Sequence, residues 1–300
     1  MSKPKYSGRG RLLLAAASKN DVTQIKRLLA MRNMNPNYAD EKSFTALNCA
    51  AWFGCLDAVK VLMDDPRVDP HLGDGVGATP LFSAVQRKKP DVVRYLAWHP
   101  RVDVNHQNND GATAFFFAAQ LGYYEIMLGM SMVPGLDMGI PLHDGVTPLF
   151  IASIKGHHNA VAVILALAKQ VDVGPTWKGI TPATAAASKK HNTLAKGLRD
   201  YEADRDKITR QIRKRMRLDE MFAATLFATA VLVLDGYFTI DLTELRDFGR
   251  FLKIVGSIPM ELQMVLCNRI FGVKRDIITL SLRESAFLRV ISGVNKIKHL

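Results

Sequence analysis

Cysteine is scarce in this chain. Only Cys49, Cys55 and Cys267 occur among 300 residues and no two are spaced as CxxC, which excludes a disulfide framework and a thiol-rich metal knuckle. Together with an amino-terminal stretch, MSKPKYSGRGR, that has no apolar leader, this sets an intracellular expectation, cytoplasmic or nuclear. The reactive motifs are missing as well. There is no Gly-x-x-x-x-Gly-Lys-Ser/Thr loop for a nucleotide and no Gly-x-Ser-x-Gly elbow for a hydrolase. The eight histidines include no His-x-x-x-His pair, and His157 with His158 point two ways from one helix start, so no metal site is expected. Acid is outnumbered: 40 Lys and Arg stand against 28 Asp and Glu, a formal charge of +12 that suits an anionic partner without choosing among nucleic acid, lipid and acidic protein. No apolar run reaches the ~20 residues a bilayer asks for. The composition of the whole, 48% hydrophobic, supports real cores and about two domains at the usual ~150 residues each.

What the chain has is a period. Thr45, Thr79, Thr113, Thr147 and Thr181 are each 34 residues from the next. Leu47, Leu81, Phe115 and Leu149 follow the Thr by two, and Ala50, Ala84, Ala118, Ala152 and Ala186 follow it by five. Such a period marks a stacked supersecondary unit. Thr is a helix N-cap, and Pro80, Pro148 and Pro182 suit the first helical position, whose N–H has no helical acceptor. Small Ala lets another helix approach. Gly54, Gly122 and Gly156, nine residues after the Thr, should end that helix in a left-handed conformation; Lys88 and Lys190 occupy the same slot in two units. A second apolar helix follows, through Val59 and Leu62 or Val93 and Leu96, and Pro66, Pro100 and Pro134 stop it. Asp69, Asp103 and Asp137 then lead an extended finger into a turn such as NNDG at 108–111. The glycine-rich GDGVG at 73–77 falls on this finger turn, which accounts for it without a phosphate.

DGVTPLFIASIKGHH (144–158) and its periodic copies resemble the ankyrin repeat, over roughly residues 9–200: five clear units and a first one in which Arg11-Leu-Leu-Leu-Ala-Ala-Ala takes the Thr-Pro-Leu slot. The resemblance implies an all-α solenoid in which each unit is a helix-turn-helix plus a finger hairpin. The chain departs from the family in carrying Asn48, Phe82, Phe116, Phe150 or Thr184 where His is usual; in the Phe units apolar burial should replace the Thr–His hydrogen bond. The period is also one residue longer than is typical. A single unit cannot bury both its helices, so stability comes from stacking, with residues 9–31 capping one end.

Ankyrin solenoids bind protein partners along the concave face formed by the finger tips and first helices. Carried onto this register, that choice selects Phe44, Trp52, Phe53, Gln86, Arg87, Gln120, Leu121, Lys155, Trp177, Lys178 and Lys189 as partner-binding residues. Four of them are aromatics on slots that should be wet, and exposed aromatics are the usual anchors of interfaces. Folding of other parts of the chain over them is the alternative. The function expected is that of a non-enzymatic, monomeric scaffold or adaptor without cofactors.

The organisation expected is a tail at 1–8, repeats at 9–200, a charged linker helix at 201–220 and a helical domain at 221–300. YEADRDKITRQIRKRMR (201–217) places acids early and bases late, as a helix dipole favours, with Ile208, Ile212 and Met216 four apart. Its basic residues Arg210, Arg213, Lys214, Arg215 and Arg217 fit a solvated helix face, an import signal, or contact with nucleic acid or anionic lipid. The uncharged run of fourteen at 221–234 reads as a buried helix, with membrane tethering as the alternative. Around Asp235-Gly236 the ligand pattern of a calcium loop fails, leaving a turn before a helix capped by Asp241. Further helices are expected near 257–263 and over 284–294. IPMELQMVLCNRIFG (258–272) is similar to the opening of F-box-type helices and, more faintly, to the box of SOCS-type adaptors, which implies a second function, docking a cullin-type ubiquitin ligase.

Overall fold

A computed structural model describes residues 7–168, 171–174, 177–216 and 218. The chain divides into two compact units, Met1–Thr209 and Arg210–Leu300. Among the described residues the regular elements are all helical: α1 (Ser7–Ser18), α2 (Val22–Leu29), α3 (Ala46–Phe53), α4 (Leu56–Asp64), α5 (Pro80–Gln86), α6 (Pro90–Ala97), α7 (Ala114–Leu121), α8 (Tyr124–Met130), α9 (Pro148–Lys155), α10 (His158–Leu167), α11 (Pro182–Ser188), α12 (Asn192–Ala203) and α13 (Arg205–Arg215). The first twelve form six two-helix layers. Each odd-numbered helix from α1 to α11 packs on the next odd one, and α2, α4, α6, α8 and α10 pack in turn on one another.

The periodic threonines start the odd helices. Each has extended backbone, and its hydroxyl accepts the N–H three residues on: Asn48 at 3.2 Å, Phe82 at 3.5 Å, Phe116 at 3.0 Å, Phe150 at 3.2 Å and Thr184 at 3.1 Å. A cap of this kind contributes ~1 kcal/mol, so five of them recur as a substantial local term. The five periodic alanines have no accessible surface, because they lie where adjacent first helices meet. Phe82, Phe116 and Phe150 are buried, as expected for side chains replacing a polar one. The other two substitutes restore a polar contact. Asn48 Nδ2 donates to Thr45 Oγ1 (3.3 Å) and to Leu72 O (2.8 Å), and Thr184 closes a capping box with Thr181.

The helix ends tie neighbouring layers together. Gly54, Gly122 and Gly156 adopt φ of 80°, 72° and 75°, and a methyl group on Gly122 would lie 2.6 Å from the ring of His157 in the next layer. His157 Nε2 donates to Gln120 O at 3.0 Å. Gly156 faces His191 in the same way. Lys88 and Lys190 take up the left-handed backbone at φ of 52° and 65°, and the Lys88 ammonium sits 5.2 Å from the centre of the Tyr123 ring, the next-layer counterpart of those histidines. The second helices end two to four residues before Pro66, Pro100 and Pro134, earlier than the prolines alone would require.

The fingers are hairpins without strands. Asp40 donates its N–H to Phe44 O, Asp74 to Ala78 O, Asn108 to Ala112 O and Leu142 to Val146 O, one closure per layer. Successive tips are also bonded: Gly75 N–H to Lys42 O (3.3 Å), Asn109 to Val76 O (3.1 Å) and His143 to Asp110 O (3.1 Å). At the finger base, Asn37 Oδ1, His71 Nε2 and Asn105 Oδ1 accept the N–H of Asp69, Asp103 and Asp137 respectively, each at 2.9 Å. The extra residue of the long period leaves this ladder intact.

The charged stretch at 201–217 is two helices where one was expected. Tyr201–Ala203 complete α12, and Asp204 leaves the helical conformation (φ −149°) so that its carboxylate can accept the N–H of Lys207 at 3.0 Å and begin α13. Competition from this Asx-type cap interrupts a helix that the charge pattern alone makes continuous. Arg217, the apolar run at 221–234, the stretch at 235–251, the helices near 257–263 and over 284–294, and the ligase-like segment 258–272 lie outside the described residues. No helix among the described residues is long and apolar enough to cross a membrane.

One arginine closes the loop after each of two layers. Arg67 Nη2 donates to Leu29 O at 2.7 Å. Arg101, half-buried, donates through Nη1 to Met63 O (2.9 Å) and Asp65 O (3.2 Å) and through Nη2 to Pro66 O (3.4 Å) and Val68 O. Hydrogen bonds from a charged donor are worth about 1.5–3 kcal/mol net, whereas an exposed ion pair adds less than ~1. Arg101→Met should therefore lower the unfolding free energy by about 2 kcal/mol in urea titrations, and Arg11→Met, which removes only the exposed pair with Glu41, by less than ~0.5.

Candidate interaction surface

The surface formed by the first helices and finger tips follows from the layer geometry. Within each unit, the residues seven and eight after the Thr occupy the last turn of the first helix, and those three and four before it form the finger tip. Because successive tips are hydrogen bonded and successive first helices are in contact, these positions become rows across the stack.

At the second layer the row carries an aromatic cluster. Phe44 and Trp52 meet edge to face with ring centroids 5.8 Å apart, and the Arg87 guanidinium of the third layer lies 4.3 Å from the Trp52 ring centre. Trp52 and Phe44 are consequently half-buried, while Phe53 stays 55% exposed. At the other end Trp177 is half-buried against Phe150 (5.9 Å), and the Lys178 ammonium sits 4.5 Å from the Trp177 ring centre. Gln86, Arg87, Lys155, Lys178 and Lys189 are exposed, and Gln120 and Leu121 are half-buried. Gln120 contributes its carbonyl to the neighbouring layer through His157, so its backbone is fixed. Within the layered unit ten of the eleven residues lie in the helix-end and finger-tip rows, and Phe44 at the base of its finger. The rings meet intramolecular partners that sequence alone did not reveal. Arg87 over Trp52 could have been found from the period, since they are the eighth- and seventh-position residues of consecutive units.

Four of the basic residues expected at 210–217 belong to α13. Arg210, Lys214 and Arg215 are exposed and Arg213 is half-buried, and three of the four lie in the last turn, where the helix dipole favours cations.

Two exposed apolar residues, Val76 at 55% and Ile180 at 37%, extend the surface at the finger side and were not among those expected. Both stand on the period, three and one residues before a Thr.

Within α3, four residues after Thr45, stands the half-buried thiol of Cys49. Burial, and secondarily the nearby Asp40 charge, push its pKa to about 11. It stays protonated at neutral pH and is a poor nucleophile. No cluster of metal-ligating side chains is found among the described residues.

The fold and this surface define a class, the repeat solenoid with helix-turn-helix layers and hydrogen-bonded fingers. The particular repeat is the ankyrin repeat. A family model for ankyrin repeats in three copies matches residues 66–131, and one for ankyrin repeats in many copies matches residues 28–81. An ankyrin repeat domain from Acinetobacter baumannii AYE (ABAYE2397) is similar at 25% identity with a TM-score of 0.55, covering 62% of this chain and 95% of that one. A chain from the complex of the predatory endopeptidase Bd0816 of Bdellovibrio bacteriovorus with immunity protein Bd3460 is similar at 26% identity with a TM-score of 0.55, covering 63% and 97%. The ankyrin repeat protein EF0377 shares the fold at 21% identity, TM-score 0.56, covering 62% and 96%. No curated protein matches the sequence. Ankyrin repeats are protein–protein interaction modules, and this chain carries an array of them.

The thiol environment gives a direct check. Alkylation of the native protein with iodoacetamide at neutral pH, read per cysteine by peptide mass spectrometry, should leave Cys49 unmodified; rapid labelling there would show a thiolate that this environment does not support.

Proposed function

We propose that the chain is a non-enzymatic intracellular scaffold or adaptor whose helix-end and finger rows bind a segment of a protein partner. The observation that carries this reading is the Phe44, Trp52, Phe53 and Arg87 cluster. It presents an exposed phenyl ring beside a half-buried indole, on helix ends held by the caps of Thr45 and Gly54. Rigid aromatic area flanked by a guanidinium is the composition in which interface hot spots concentrate. Gln86, Gln120, Leu121, Lys155, Trp177, Lys178 and Lys189 extend the surface to the far end of the array. The cap and helix-end geometry gives an inherent reason for binding without rearrangement, since the rows are fixed by hydrogen bonds before a guest arrives.

A second reading, a substrate receptor of a cullin-type ubiquitin ligase, rests on the F-box-like stretch at 258–272 and is tested by whether ligase subunits accompany the chain in pull-downs. Membrane tethering through residues 210–234 predicts sedimentation with anionic vesicles.

For the main reading, the double variant Trp52→Ala/Phe53→Ala should lose partner capture while keeping its melting transition within a few degrees of the parent. A fall in stability of ~3 kcal/mol or more, the cost of truncating a core aromatic, would identify the pair as packing residues instead.

A further inference from the structure

The eighth position after each periodic Thr, or after Arg11 in the first layer, holds Lys19, Phe53, Arg87, Leu121, Lys155 and Lys189. One layer contributes one residue, and the order is basic, apolar, basic, apolar, basic, basic. All but the half-buried Leu121 are exposed. The flanking positions seven and nine add Lys88 and Lys190 and contain no Asp or Glu in any of the six layers. Acidic residues on this face are confined to the finger tips, at Glu41, Asp110 and Asp144. The helix-end side of the surface therefore carries cations and no acid, whereas the finger tips carry both signs, with Lys42 and Lys178 among Glu41, Asp110 and Asp144.

Helix dipoles favour a cation at each of these helix ends, yet Phe53 and Leu121 leave two ends without one at this position, and the dipole gives no reason for a phenyl ring that is 55% exposed. A guest with matching chemistry does. Packed helices lie ~8–10 Å apart, and a polyproline-type or similarly extended chain advances ~9 Å in three residues. One guest side chain in three can then meet one layer.

On the reading that this face binds a protein segment, we propose that its occupant is an extended acidic peptide carrying carboxylates opposite Lys19, Arg87, Lys155 and Lys189 and apolar side chains opposite Phe53 and Leu121. The guest repeats every third residue: acid, apolar, acid, apolar, acid, acid. A carboxylate near Arg87 also meets the guanidinium already positioned over Trp52. A polyphosphate fits less well, because its charge is continuous along the backbone whereas the second and fourth layers offer Phe53 and Leu121 in place of a cation. The arrangement thus specifies order as well as charge, with like-charge contacts penalising a guest in the wrong register.

The test uses the full chain and a fluorescent synthetic peptide of about 16 residues, Glu, Phe, Glu, Leu, Glu and Glu at every third position with Ser and Gln between, made in both chain directions. One direction should bind at least roughly tenfold more tightly than a scrambled peptide of the same composition. Binding should be lost in Lys155→Glu/Lys189→Glu, whose altered side chains are exposed so that the circular dichroism spectrum stays unchanged, and restored when Lys replaces the last two Glu of the peptide. Equal binding of ordered and scrambled peptides, absence of charge-swap rescue, or stronger competition by polyphosphate or anionic phosphatidylserine vesicles than by the ordered peptide would overturn the proposal. If neither peptide direction binds while Trp52→Ala/Phe53→Ala still abolishes partner capture, the acidic pattern is wrong and the protein-binding reading stands. If the aromatic variant also retains capture, both fall.

Discussion

The contact on which the structure depends is the close approach of one layer to the next at the end of each first helix. There the backbone turns left-handed and a side chain from the following layer occupies the space a Cβ would fill, as His157 does at Gly122 and His191 at Gly156. Two-helix units of this size do not bury enough surface to stand alone, so the array is stable as a sum of layer and junction terms. The alanines five residues after each Thr make the approach possible, and the arginines at 67 and 101 close the loops on the opposite ends of two layers. Shifting any one element would separate rings from glycines and guanidinium groups from carbonyls together, which is why the period is so strictly kept.

The helix-end and finger-tip rows are a by-product of that constraint. Once first helices are in register, the eighth position after the cap is exposed in every layer but the fourth, where Leu121 is half-buried, and its identity is largely released from packing. Selection can then place Phe53, Arg87 or Lys155 there at little cost to the fold. Interaction modules of this kind carry specificity in the sequence of side chains along a fixed scaffold, and the fold itself names no partner.

Most of the fold was legible because it is local and repeated. Thr45 to Thr181, the glycines after them and the small alanines each state a physical requirement, and five copies remove ambiguity. Less legible were features made by contact between distant residues. Trp52 was read as a wet anchor, but it is partly covered by Arg87 from the next layer and by Phe44 from its own finger. Trp177 is likewise occupied with Phe150 and Lys178. Apolar burial was expected to replace the family His in the three Phe units; that Asn48 and Thr184 rebuild a hydrogen bond to their own capping Thr is a choice among rotamers that sequence does not disclose. The break at Asp204 had a signal, an Asp ahead of Arg-Asp-Lys, which the charge gradient along 201–217 obscured.

The junction is tested most directly by a double-mutant cycle at Gly122 and His157, with unfolding free energies measured by urea titration. If the imidazole fills the space beside Gly122, Gly122→Ala should cost at least ~1 kcal/mol more in the parent than in the His157→Ala background, where the obstructing ring is gone. Additive effects, agreeing within ~0.5 kcal/mol, would contradict it, and with it the claim that these contacts lock neighbouring layers.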